Sequence, residues 1–343
     1  MKTLRFLNKL YWPFAMAAAA ACFAQPAAAQ SAADFYKGRN LSLVIGYAAG
    51  GGYDIYARLL ARHMNRHIPG NPTITPQNMN GAGSLKAATW LAEAAPRDGS
   101  VIGTFGRGIP LAPLLDGVAF DALKMTWIGS ITEDVSLCLS WHRSEIKTWD
   151  DMLKKQFTVG GEGSTSDPDV FALLIKNTFA AKVKLVSGYP GTKDIGLAME
   201  RGEVDGMCGI SYSTVKNGYA EHLKAKRINI LVQAAMHKDA GLPDVPLLID
   251  LARPDQREVL TLILAPQAMA RPIAGPPAIP NDRKQALRAA FDATMKDERF
   301  LADAQKVRLD ISPTTGADIE KLIAQLYATP KDVVEKVKHA IRQ

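Results

Sequence analysis

Apolar positions along this chain fall into two alternating patterns. Short apolar runs, at 41–45 and 101–105, have strand length, and a glycine follows each. After the first run, Ile55, Leu59, Leu60 and Ile68 recur at helical spacing, and an alanine-rich stretch at 85–94 reads as a second helix. Thr73 to Thr75 makes a short strand between them, after the turn Pro69-Gly70-Asn71-Pro72. Pro96-Arg97-Asp98-Gly99 turns the chain into the 101–105 run. This alternation predicts a parallel, doubly wound sheet.

A second series follows. Two apolar runs lie within 127–141, a short helix at 148–155, a strand at 157–159 and a helix at 169–179 with Pro168 ahead of it. Strands at 184–186, 206–210 and 228–233 and a helix at 192–201 continue it. Beyond Leu242 prolines become frequent, and helices are expected at 281–295, 315–326 and 330–341.

Two strand-to-helix junctions carry more glycine than a turn needs. After Ile45 come Gly46, Tyr47, Ala48, Ala49, Gly50, Gly51, Gly52, Tyr53 and Asp54. A glycine loop running into a helix N-terminus leaves backbone N–H groups free, and such groups bind anions. A tight turn without a ligand is the alternative. The second junction, Gly160-Gly161-Glu162-Gly163-Ser164-Thr165-Ser166-Asp167, adds hydroxyls to the amides. A further glycine-rich connection, Asn78-Met79-Asn80-Gly81-Ala82-Gly83-Ser84, puts Ser84 where a helix cap is expected. Arg107, between Gly106 and Gly108, lies at a strand's carboxyl end, where open α/β sheets bind ligands and a guanidinium can grip a carboxylate. An exposed loop arginine is the plainer reading.

Composition narrows the function. The chain has 343 residues, long enough for two lobes. Lys2, Arg5 and Lys9, an apolar stretch at 10–24 and Ala27-Ala28-Ala29 read as an export signal over 1–29, with a lipoprotein anchored at Cys22 as the minor alternative. Removing 1–29, which holds three basic and no acidic side chains, lowers the net charge from +7 to +4. The remaining basic residues are scattered, which argues against a nucleic-acid partner and suits weak steering of a small anion. Cys138 and Cys208 can pair in an oxidising compartment or remain buried thiols.

Catalytic patterns are missing. Gly161-x-Gly163-x-x-Ser166 resembles a dinucleotide fingerprint, but Val186-Ser187-Gly188 stands where a ribose-binding carboxylate belongs. No Walker loop, nucleophile elbow or H-E-x-x-H occurs. His63 and His67 stand four apart on one helix face, where they could hold a metal, but they lie among Arg58, Arg62, Asn65 and Arg66, which reads as a solvated basic face. An exported hydrolase using Ser164 lacks a general base. No cofactor and no metal are expected.

Leu43-Val44-Ile45 through Gly50-Gly51-Gly52-Tyr53-Asp54-Ile55-Tyr56-Ala57-Arg58 resembles the opening signature of the Bug-type solute-binding receptors of tripartite tricarboxylate transporters. The likeness continues through Asn78-Met79-Asn80-Gly81-Ala82-Gly83, Pro96-Arg97-Asp98-Gly99, Gly161 to Ser166, Tyr189 and Gly202-Glu203-Val204-Asp205, covering nearly all of 35–330. The resemblance implies an α/β, two-lobed periplasmic binding protein of the type II, Venus-flytrap kind. Each lobe would be a doubly wound, mainly parallel sheet flanked by helices. One lobe would span 31–135 plus 236–343 and the other 136–235. The function it implies is capture of a small mono- or dicarboxylate in the periplasm, by a monomer without enzymatic activity, for delivery to the transporter's membrane permease subunits. A periplasmic partner for a sensor kinase is the alternative. The family's ligand contacts carry over to Tyr47, Ala48, Ala49, Gly50, Gly51, Gly52, Tyr53 and Asp54, to Gly81, Ala82 and Gly83, and to Gly163, Ser164, Thr165, Ser166 and Asp167. Tyr189 and Asp205 lie nearby, and Arg107 joins the set from the residue reading. Asn80 replaces a usual proline, Tyr53 a threonine and Tyr47 a phenylalanine. The two tyrosines can narrow the pocket or offer rings to an aromatic acid.

Overall fold

A computed structural model describes residues 31–342, so the expected export signal lies outside the described residues. The chain begins with helix α1 (Ala32–Tyr36), strand β1 (Asn40–Ile45), α2 (Gly52–Met64), β2 (Thr73–Asn78), α3 (Leu85–Glu93), β3 (Val101–Thr104), α4 (Ala112–Leu115) and β4 (Thr126–Ser130). It continues with β5 (Ser136–Trp141), α5 (Trp149–Lys154), β6 (Phe157–Gly160), α6 (Asp167–Phe179), β7 (Val183–Val186) and α7 (Thr192–Arg201). Then follow β8 (Gly206–Ser211), α8 (Tyr212–Gly218), α9 (Ala220–Lys224) and β9 (Ile228–Ala234). The last part holds α10 (Pro254–Leu264), β10 (Pro272–Gly275), α11 (Asn281–Thr294), α12 (Glu298–Lys306), β11 (Thr314–Thr315), α13 (Gly316–Tyr327) and α14 (Lys331–Ala340).

Two sheets organise these elements. The first runs β11-β4-β10-β3-β1-β2 and the second β7-β6-β8-β5-β9. Strands β1, β2 and β3 pair in parallel, as do β6, β7 and β8. Each sheet also takes an antiparallel strand in its interior: β10 between β3 and β4, and β5 between β8 and β9. Both sheets are therefore mixed. In β1 the period of two is explicit. Leu41, Leu43 and Ile45 pack with Leu59, Leu60 and Met64 of α2 on one face, and Val44 packs with Ala87 and Leu91 of α3 on the other. Fully burying each such leucine contributes about 2 kcal/mol.

Helices cover both faces of both sheets, which is the doubly wound arrangement. The last third of the chain is divided between them. Helices α11, α12 and α13 pack on the first sheet, whereas α10 and α14 join α6 in the core of the second. Cys138 of β5 and Cys208 of β8 form a disulfide between neighbouring strands. Among the described residues, no helix is long and apolar enough to cross a membrane.

Two local expectations are corrected. Ser84 makes no cap bond; it sits at φ 78°, and its Oγ accepts from Gly106 N–H at 2.8 Å. Its hydroxyl thus ties the α3 entrance to the end of β3. The histidines of the face carrying His63 and His67 are paired with carboxylates and are not free in solvent. His63 is 5% exposed and its Nε2 lies 3.0 Å from Asp303, while His67 Nε2 lies 2.9 Å from Asp297. The acidic residues of the α12 region meet the basic end of α2, where a helix dipole favours cations.

Candidate functional site

The first side of the site is the loop from β1 into α2. Gly51 holds the N-cap position in extended conformation without a side-chain cap bond, so the first amides of α2 are left to other partners. Asp54 braces the loop from behind. Its carboxylate accepts from Gly50 N–H at 2.9 Å, Arg58 Nε at 2.8 Å and Asn78 Nδ2 at 2.8 Å. Burial alone would raise its pKa, but Arg58, Gly50 and Asn78 outweigh that and hold it below the usual carboxylate range.

Tyr47 and Tyr53 flank this loop and stack on each other, ring centroids 4.5 Å apart. The Arg271 guanidinium lies 4.6 Å from the Tyr53 centroid. Tyr53 is thus sandwiched, which favours narrowing of the pocket over stacking of a ligand ring on it. Its hydroxyl accepts from Arg107 N–H at 3.0 Å, and burial raises both phenols above their ordinary pKa.

The opposing side is built on the second sheet. The loop from β6 into α6 does not present its amides to the cleft as expected. Asp169, 2% exposed, accepts on one oxygen from Glu162 N–H at 2.6 Å, Gly163 N–H at 2.9 Å and Ser166 Oγ at 2.8 Å. Its other oxygen accepts from Ser187 Oγ. The second glycine loop is an anion cradle already filled by the protein's own carboxylate.

Three further pieces complete that side. The N-terminus of α7 brings Gly191, Thr192, Lys193 and Asp194, and Glu162 reaches toward it. Burial, then Asp167 and Asp169, push the Glu162 carboxyl up to about 8, against the lowering bond from Thr192 N–H. The end of β8 brings Gly209, Ile210 and Ser211. Gly209 sits at φ +78°, and a Cβ there would lie 2.4 Å from the Asp167 backbone, so only glycine allows β8 to meet α6 this closely.

Ties between residues of the two sheets' segments are direct. Arg107, 1% exposed, donates from Nε to Asp167 at 2.6 Å and from Nη2 to Ser136 Oγ at 2.7 Å. Asp167 keeps the guanidinium charged despite burial, and Nη1 is buried without a hydrogen-bond partner. Thr165 Oγ1 donates to Ala82 O at 2.8 Å. Arg271, also 1% exposed, donates to Ser211 Oγ at 3.1 Å, Ser213 Oγ at 3.2 Å and Thr214 Oγ1 at 3.1 Å, with Asp134 at 3.7 Å.

These parts surround a cleft with about 560 Å³ of space not filled by atoms, some of it open to solvent. Of the residues expected at a site, Tyr47, Ala48, Ala49, Gly51, Gly52, Tyr53, Arg107 and Asp167 line it. Gly50 and Asp54 stand behind them. Ala82 and Gly83 meet the second loop, where a Cβ on Gly83 would lie 2.6 Å from Ser166 N, whereas Gly81 faces Lys86. Gly163 and Ser166 belong to the filled cradle, Thr165 to the tie, and Ser164 is exposed. Tyr189 packs beside the core around Ile195 and Met199. Asp205 binds Thr158 N–H at 2.9 Å, at the end of β8 away from the cleft. Sequence reasoning missed Glu162, Lys193, Asp194, Thr214 and Arg271 as lining residues. Arg271 alone left a signal: a single charge among Met269, Ala270, Pro272 and Ile273.

No family model matches the chain. It is 26% identical over 320 residues to a UPF0065 protein from the TAR-I ttuE-ttuC' intergenic region of Agrobacterium vitis, covering 91% of this chain and 84% of that one. It is 24% identical over 242 residues to Protein BugT of Bordetella pertussis, covering 66% and 70%. Among solved structures it resembles MatC from Rhodopseudomonas palustris with bound malate, at TM-score 0.68 and 22% identity over 86% of this chain and 99% of that one. It also resembles the periplasmic binding protein BugD, at TM-score 0.70 and 18% identity over 89% and 98%. The fold is the two-lobed α/β fold of periplasmic binding proteins.

Proposed function

We propose that this chain, a homologue of the UPF0065 and Bug solute-binding proteins, is a periplasmic receptor that captures a small organic acid between its lobes. It delivers that acid to the membrane permease of a tripartite tricarboxylate-type transporter, as a monomer and without chemistry of its own. One observation carries the reading: the uncapped glycine N-terminus of α2 and the buried Arg107, with its free Nη1, line one cleft. Backbone amides at a helix N-terminus and a guanidinium are the two groups that bind carboxylates best. The relatives point the same way, since MatC is seen with malate and a further structural neighbour, Rpa4515, with adipate.

The lobes we assign are 31–135 plus 236–343 and 136–235, amended by α10 and α14, which pack with the second. Ligand binding favours the arrangement in which the Arg107–Asp167 and Thr165–Ala82 ties are made, so capture is a population shift toward the closed state. Thermal denaturation against a panel of C4–C8 mono- and dicarboxylates tests this. A ligand at 100 times its Kd should add about 2.7 kcal/mol of stability, visible as a clear rise in Tm. No stabilisation by any carboxylate would refute the organic-acid assignment.

A further inference from the structure

One glycine loop opens on this cleft, and the amides of a second, just behind the cleft-lining Glu162 and Asp167, are occupied from within. Asp169 takes two backbone N–H groups and a hydroxyl on a single oxygen, the coordination a ligand carboxylate would otherwise receive from a glycine loop. A Cβ on Gly161 would come within 2.3 Å of that carboxylate, so the loop is shaped around it. From this geometry, and resting on the carboxylate-receptor reading above, we infer that the ligand carries one carboxylate and an uncharged polar group at its other end. Hydroxy, keto or carboxamide monocarboxylates fit this class, whereas dicarboxylates are selected against.

The charges around the cleft agree. Arg107 is committed to Asp167, and Arg271 to Asp134 and three hydroxyls. Of the lining cations this leaves the unpartnered Nη1 of Arg107 and the exposed Lys193 to answer a ligand charge. Asp167 and Asp194 line the same side, with Asp169 close behind. A second ligand carboxylate placed there would meet like charge, a means of rejecting the wrong partner. A neutral end would instead meet groups able to donate to it: Ser211, Thr214 and the Glu162 carboxyl, which keeps its proton at neutral pH. The first carboxylate sits at the α2 N-terminus.

Matched pairs test this on the native protein. Calorimetry at pH 7 would compare succinate with succinamate, glutarate with glutaramate and adipate with adipamate, alongside simple hydroxy monocarboxylates. The expected result is binding of a monoanion at least tenfold tighter than the diacid of the same length, or of a hydroxy monocarboxylate with no diacid binding. A diacid that equals or exceeds its monoamide would overturn the inference while leaving the carboxylate receptor standing. Silence from every acid in the panel would remove the receptor reading itself. Asp169→Asn, checked for folding by circular dichroism, should narrow the monoamide's advantage at least threefold. An unchanged ratio in a folded variant would refute the role given to Asp169.

Discussion

Gly51 and Glu162 control the site by different physical means. A Cβ on Gly51 would meet nothing closer than Ala48 O at 3.5 Å, an ordinary contact, yet it would project over amides that line the cleft. Gly51→Val should therefore leave Tm within a few degrees of wild type while weakening ligand binding more than tenfold; equal affinity in calorimetry would remove the loop from the site. Glu162 has a pKa raised in the folded protein, so the native state holds a proton that the unfolded chain releases near the ordinary carboxylate range. Its contribution is fully present below that range and is lost as pH rises toward about 8. Tm followed from pH 5 to 9 should show this decline, and Glu162→Gln should flatten it. A wild-type slope in the variant would show that another group titrates.

Among the elements, the helix ends explain both the stability of the first sheet's helices and what could be foreseen. Asp297 caps α12 by accepting from Arg299 N–H at 2.9 Å and Phe300 N–H at 3.1 Å, and it binds Arg66 from α2's end. Arg66 lies first among the groups that hold its carboxyl well below the usual range. Asp297→Ala loses a cap and a charge-assisted pair together, a cost of about 2 kcal/mol measurable as a lower urea midpoint. The stability from Asp297 is present above the ordinary aspartate pKa and lost as acid protonates it. The β1–loop–α2 unit was legible because apolar period and glycine punctuation agree there. Helix α12 was not, because 298–306 carries only Phe300 and Leu301 as large apolar residues. The filling of the second loop was hidden for another reason. Nothing in Asp167-Pro168-Asp169 says which carboxylate turns back to the amides and which crosses to Arg107.

Across the molecule, the Arg107–Asp167 pair and the Thr165–Ala82 bond are among the ties between the two sheets' segments. Asp167→Asn combined with Thr165→Val removes the ion pair to Arg107 and the bond to Ala82. In the ligand-free variant small-angle scattering should register a rise of about 1 Å on a radius of gyration of roughly 20 Å for a chain this size. An unchanged radius would mean that these ties do not hold the lobes together.

The place of β10 also sets the order of assembly. It enters between β3 and β4, and Thr126 Oγ1 bonds Pro276 O across 150 residues. Until that late segment arrives, the first sheet has a gap in its middle with unpaired edges on both sides. The second sheet, built wholly from residues between β4 and β10, needs none of the earlier strands for its pairing. Folding should run from the inside of the chain outward, with the inserted lobe's sheet forming first and the enclosing lobe's last. High contact order makes that final step slow and leaves it exposed to aggregation. A chaperone acting on the nascent protein would find its binding surface on the edges of β3 and β4 that stay open until β10 arrives.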